Sequence, residues 1–225
     1  MRWEVSSRPS YSLLKISLEP GEEVIAEPGA MVLYRGAVLI ETSARGGIGA
    51  ALLRKVFGGE SLFLNTFRAE GKSEVWLAPS LPGDIHYLPL NGSGYILQQG
   101  SYLAHHGSTE IGVAWRGFRG LLTEGELIWL RVSGYGGVWV NAFGGIECIS
   151  ISAGEKVIVD NFHFVAMDER AKWHVRTFGG VKSFLLGGEG IVAEIQGPAN
   201  LWLQTRHIAS LADELIPILR RHLKG

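Results

Sequence analysis

Histidines and carboxylates on neighbouring strands are the groups with which cupin-like enzymes hold iron or zinc. This chain offers His86, His105, His106 and His163 for that role. His105 and His106 are consecutive, so on a strand they point to opposite faces and cannot share one ion. His163 aligns with Ser101 in the repeat described below, and no H-x-H pair is present. These histidines therefore read as exposed or hydrogen-bonded ordinary residues, and neither a metal nor another cofactor is expected. Nucleophiles fare no better. Ser93 stands in Asn91-Gly92-Ser93-Gly94, which misses the G-x-S-x-G elbow, and it lies in a turn of the repeat. Cys148 is the single cysteine; without a partner it fits a reducing compartment and reads as a small buried hydrophobe. Gly47 and Gly49 begin a dinucleotide-binding pattern, but Leu52 occupies its third glycine position. Gly179-Gly180-Val181-Lys182-Ser183 lacks the spacing of a phosphate loop. No catalytic constellation emerges.

Two residue types do recur with a fixed spacing. Glu60, Glu126 and Glu189 each follow a glycine. Gathered around an axis, such carboxylates would raise one another's pKa; as turn carboxylates accepting backbone N–H groups they are simply structural, which is the reading adopted. Trp76, Trp139 and Trp202 lie 63 residues apart at each step. Their neighbours Val75 and Leu77, Val138 and Val140, and Leu201 and Leu203 occupy one face of a strand, which turns each tryptophan to the other. On the strand before, Phe63, Trp129 and Val192 alternate with Asn65, Arg131 and Glu194. Aromatics interleaved with polar groups fit a subunit interface or a binding surface. Alternatively, a second layer of the same chain covers them.

The elements that carry these residues come from an internal repeat. GELIWLRVSGYGGVWVN from Gly125 and GEGIVAEIQGPANLWLQ from Gly188 align without a gap, and GESLFLNTFRAEGKSEVWL from Gly59 joins them with three extra residues. A second block recurs as GEEVIAEPGAMVLY at Gly21, GSGYILQQGSYLAH at Gly92 and GEKVIVDNFHFVAM at Gly154. Each block reads as turn, short strand, turn, strand. Leu62 and Leu64, then Ile128, Leu130 and Val132, then Ile191, Ala193 and Ile195 alternate with the period of two that marks half-buried strands. The expectation is an all-β domain over residues 1–206 in three tandem units, at about 11–78, 79–142 and 143–206, with a pseudo-threefold, double-stranded-β-helix-like arrangement. Residues 44–59 form an insertion that could hold a short helix. Residues 207–225 form a C-terminal helix starting near Ser210, interrupted by Pro217 and docked as a lid.

Composition agrees. Glycine supplies 31 of 225 residues, about twice the usual share, and many of these fall at equivalent turns. The 46% hydrophobic content excludes disorder. A net charge of −1 gives no footprint for general nucleic-acid binding, and no apolar stretch is long enough for a membrane-spanning helix. A cytoplasmic location is expected.

From GEEVIAEPGAMV through FGGESLF (57–63) and LTEGELIWLRVSG (122–134) to GEGIVAEIQGPANLWLQTR (188–206), the chain resembles the altered-inheritance-of-mitochondria family, also called domain of unknown function 124. That resemblance implies a fold like the tryptophan RNA-binding attenuation protein, in short β-repeats assembling into rings, commonly trimers. It supplies no catalytic residues. A non-enzymatic homo-oligomeric scaffold or interaction protein is the leading expectation, with a small-molecule or glycan-binding module second and a metal-dependent cupin-like enzyme third.

Overall fold

The computed structural model describes residues 1–44, 63–116, 128–177 and 191–222. Strand β1 (Arg2–Ser6) precedes the first unit, which contains β2 (Leu13–Leu18), β3 (Glu23–Ala26), β4 (Met31–Arg35), β5 (Val38–Ala44), β6 (Phe63–Ala69) and β7 (Ser73–Leu77). Three long strands make the second: β8 (Ile85–Gln98), β9 (Tyr102–Arg116) and β10 (Ile128–Asn141). The third again has six, β11 (Ile146–Ile151), β12 (Lys156–Asp160), β13 (Phe164–Asp168), β14 (Lys172–Thr177), β15 (Ile191–Gln196) and β16 (Ala199–Gln204). Helix α1 (Ile208–His222) follows. The fold is all-β with one C-terminal helix.

Pairing makes the three units equivalent. In the first, β7 lies between β2 and β4 while β6 lies between β3 and β5; in the third, β16 lies between β11 and β13 while β15 lies between β12 and β14. In the second, β10 lies between β8 and β9 along its whole length, so one long strand does the work of two short ones. Glycine is what lets a long strand bend there. Gly134 and Gly136 hold φ of 127° and 132°, and the β10–β8 register shifts between Ser133 and Tyr135. The expected turn at Asn91–Gly94 becomes a bulge within a strand: β8 continues through Ser93, but Gly92 holds a φ of 81° and the pairing slips from Gly94–Ser133 to Asn91–Tyr135.

A second mark of the repeat is a bulge at the same place in every unit. The register shifts between Met31 and Leu33, between Trp139 and Val140, and between Phe164 and Ala166, each time beside the unit's recurrent tryptophan.

Units join by strand pairing. Ile25 and Ala26 of β3 face His105 and Ala104 of β9, and Ile96 and Leu97 of β8 face Met167 and Ala166 of β13. Residues from two units fill each junction. Leu14, Ile16 and Ala26 pack with Leu103, Ala104 and Trp139 at the first, and Ile96 and Trp129 pack with Phe164 and Met167 at the second. Asp84 adds a polar tie at the first junction: Arg8 donates two hydrogen bonds to it at 2.8 Å each, and Ser12 Oγ and the Ile85 N–H donate at 2.8 Å. Burial pushes this carboxyl up, but the bonds from Arg8, Ser12 and Ile85 prevail and hold it below the usual range.

Two local expectations need correcting. Helix α1 begins at Ile208, before Ser210, because His207 caps it. The Ser210 N–H donates to His207 Nδ1 at 3.2 Å, and Ser210 Oγ donates to the His207 carbonyl at 2.9 Å. Nor is the helix a docked lid. Leu215, Ile218 and Leu219 are 44, 51 and 54% exposed, and the chain is anchored just ahead of the helix, where His207 stacks on Phe162. Pro217 lies inside the helix as the sequence indicates. The insertion at 44–59, apart from Ala44 in β5, lies outside the described residues.

Candidate functional site

The three recurrent tryptophans occupy one topological position with three different surroundings. Trp139 sits opposite Tyr87 on β8 and Ala104 on β9, and it is fully buried. Rings of Trp3, Tyr87 and His106 surround it at 5.8, 5.3 and 5.2 Å between centroids. Trp202 lies opposite Cys148 and Ala166, is 7% exposed, and meets the rings of Tyr95 and His86. These two are covered within the chain, each at a junction with the preceding unit. Trp76 has no preceding unit and is half-buried.

That difference makes the surroundings of Trp76 the candidate site. Lys15 on β2 holds its ammonium 5.1 Å from the centre of the Trp76 ring, where the ring quadrupole attracts a cation. Trp76 Nε1 donates to Glu74 Oε2 at 3.2 Å, and Arg35 clamps the same carboxylate at 2.8 Å. Arg35 is the main cause that holds the Glu74 carboxyl below its usual range. Lys15 also donates to Glu4 at 3.0 Å. Around this cluster runs an open groove of about 430 Å³ lined by Arg2, Trp3, Glu4, Lys15, Arg35 and Trp76, among others.

Sequence explains why, of the three recurrent tryptophans, only Trp76 has a partner for its indole N–H. Position 74 is Glu, but its equivalents are Gly137, which has no acceptor, and Asn200, which is engaged with Asp168 and Ser150. Trp139 Nε1 and Trp202 Nε1 are both buried without a hydrogen bond.

Of the remaining predicted residues, Trp129 is fully buried, stacks on Phe164 at 4.2 Å and donates through Nε1 to Asn161 Oδ1 at 3.0 Å. It is a core residue of the second junction. Phe63 opens β6, opposite Ala44, and its side chain lies outside what is described. Glu60, Glu126 and Glu189 also lie outside the described residues. Cys148 departs from expectation. It is exposed, like Glu147 and Ser150 beside it, on β11, which among the described residues has a strand on one side only. Burial, with Asp168 adding to it, pushes the thiol up, which disfavours the reactive thiolate.

The histidines are not brought into one site. The ring Nδ1 of His105 lies 2.6 Å from Tyr102 Oη, and Nε2 of His106 lies 2.9 Å from Tyr87 Oη. His163 Nδ1–H donates to the Gln204 carbonyl at 2.7 Å. Burial pushes His86 and His106 down and favours their neutral forms at pH 7. Among the described residues no three His, Cys, Asp or Glu side chains are grouped to hold a metal. Lys15 and Glu4, and Arg35 and Glu74, are paired with one another in this groove, which suits it to contact a polar or charged partner.

Sequence reasoning passed over Glu27, which follows β3 at the first junction, where its N–H donates to the Leu103 carbonyl at 2.9 Å. Burial raises its carboxyl from 4.5 to about 7. A carboxyl raised by folding stabilises the fold when protonated, so stability falls as pH rises from about 4.5 through about 7. Glu27→Gln is expected to raise stability at pH 8 by about 2 kcal/mol, trimmed from the full shift because solvent reaches part of this residue, and to change nothing at pH 4. Urea titrations at the two pH values check this; an equal gain at both would assign the effect to something other than ionisation.

Strands and their pairing thus define an all-β protein with a terminal helix. The chain belongs to the family described as mitochondrial biogenesis AIM24, whose profile matches residues 3–206. It is 28% identical over 223 residues to an uncharacterised protein of Streptococcus pyogenes serotype M6, covering 96% of this chain and 90% of that one. It is also similar to a crystal structure of a protein from Streptococcus pyogenes, with a TM-score of 0.80 and 27% identity, covering 96% of this chain and 99% of that one. Among the described residues no helix is long and apolar enough to cross a membrane.

Proposed function

We propose that this protein is a non-catalytic, cytoplasmic scaffold that assembles into homo-oligomers, a trimer favoured, and presents the groove around Trp76 to a partner. The observation that carries this reading is the contrast between equivalent strands. Tyr102–His105 of β9 and Phe164–Met167 of β13 are buried at unit junctions, whereas β4 leaves Met31, Val32 and Tyr34 exposed at 44, 52 and 45%. Apolar surface that two of three copies bury is surface with a partner to find. Light scattering behind size-exclusion chromatography tests assembly: a multiple of 24.5 kDa at micromolar concentration is expected, and a strict monomer would count against it.

A second reading, a small-molecule or glycan-binding module, is favoured by one feature: two tryptophan rings, three cations and two carboxylates share the open groove. Trp76→Ala distinguishes the two roles of this face. Being half-buried, Trp76 should cost about 1–2 kcal/mol on truncation, well below a core tryptophan. The variant therefore folds and reports on recognition. A sugar and metabolite panel that raises the wild-type melting temperature and not that of the variant would favour the second reading.

A further inference from the structure

We infer that β12 of one copy pairs antiparallel with β4 of the next, with Ile158 opposite Tyr34 and Val159 opposite Leu33. This deepens the self-assembly reading above and rests on it. At the first junction Ile25 and Ala26 face His105 and Ala104; at the second Ile96 and Leu97 face Met167 and Ala166. The repeat alignment makes Ile25, Ile96 and Ile158 equivalent, and likewise Tyr34, His105 and Met167. Applying the same register a third time leaves one donor strand, β12, and one acceptor strand, β4. Within this chain they sit at opposite ends of the row of units, and among the described residues β12 pairs with β15 alone and β4 with β7 alone.

Burial follows the same logic on both partners. Ile25 and Ile96 are each 1% exposed, whereas Ile158 is 52% exposed. Tyr102, Leu103, Ala104 and His105 are at most 3% exposed, and Phe164 to Met167 are fully buried, whereas Met31, Val32 and Tyr34 stand open. On each free edge a position that its two equivalents bury in a junction stands open, Ile158 on β12 and Tyr34 on β4, while Val159 keeps to its own core at 6% exposed. The matching surface for β4 is a third unit, and a second copy of this chain supplies one. An unpaired apolar edge is a template for strand addition. Because donor and acceptor are different strands, the contact is head-to-tail and must close into a ring or continue into a filament.

Disulfide trapping tests the register in a Cys148→Ser background. Residues directly opposite in an antiparallel pair bring their Cα atoms to about 4.5–5.5 Å, within reach of a disulfide. Two single variants, Tyr34→Cys and Ile158→Cys, are prepared separately; both sites are exposed, and circular dichroism confirms that each folds. On mixing under mild oxidation, a covalent dimer containing one chain of each is expected, with Leu33→Cys and Val159→Cys as a second pair. Ile158→Asp should shift the wild-type mass to that of the monomer. A dimer formed by either cysteine variant alone would mean symmetric edge pairing and overturn the inference. So would a Tyr34→Cys/Ile158→Cys double variant that cross-links within one chain. An oligomer that persists in Ile158→Asp and traps with neither pair would overturn this pairing while leaving self-assembly intact. A monomer at every concentration with no cross-link would remove both.

Discussion

Trp139→Ala is expected to cost about 3–5 kcal/mol, a large share of the roughly 5–15 kcal/mol that stabilises a typical domain. Trp139 is fully buried between Tyr87 and Ala104, and it packs with Leu14, Ile16 and Ala26 of the first unit, so its loss opens a cavity at the junction rather than at an edge. No hydrogen bond is lost, because Nε1 has no acceptor. This gives the prediction a second arm. Trp139→Phe removes part of the volume but also the unsatisfied N–H, whose burial costs about 1–3 kcal/mol, so it should be much milder than alanine. Urea denaturation of the pair measures both. A loss below about 1 kcal/mol in Trp139→Ala would mean that the junction is not a cohesive core.

Gly136→Ala is expected to destabilise by about 3 kcal/mol or more, or to yield insoluble protein, through backbone alone. Gly136 holds a φ of 132°, a region that side chains rarely adopt, and a Cβ there would drive into the carbonyl oxygen of His106 on the paired strand. Gly134 has the same problem against the carbonyl of Ser108. Both lie where β10 bends, and neither neighbour can yield without breaking the β10–β9 ladder. Gly112, also on β9, is the control: a Cβ there meets nothing within 4 Å. Gly112→Ala should be neutral or gain a few tenths of a kcal/mol by restricting the unfolded chain. Thermal melts of the three variants decide the matter; equal losses at 112 and 136 would remove the bend as the cause.

Much of the fold was legible because a repeat leaves its period in the residue order. The spacing of Trp76, Trp139 and Trp202 and the alternation in the blocks around them led to strands and to three units, and each tryptophan does stand beside the same bulge. Local readings failed where a neighbour outside the local segment decides. Ser210 has the right spacing for an N-cap, yet His207 supplies the cap. Asn91–Gly94 looks like a turn, but β10 pairs with β8 on both sides of it and reduces it to a bulge at Gly92–Ser93. Cys148 sits in an apolar-looking strand, yet among the described residues no strand pairs with the other edge of β11.

The candidate site shows the same division. Glu74 beside Trp76, with glycine and asparagine at the equivalent positions, could be read from the residue order. Which tryptophan is open could not. Periodicity records which face of a strand a side chain takes, and that face is the same for all three. Exposure depends on whether another unit lies against that face, a relation between residues far apart in the chain. So the sequence by itself determined the strands, the repeat and the family. Only the tertiary structure decided that Trp139 and Trp202 close junctions, that Trp76 remains at the end of the row, and that β4 and β12 keep free edges among the described residues, because burial there is set by the order in which units meet.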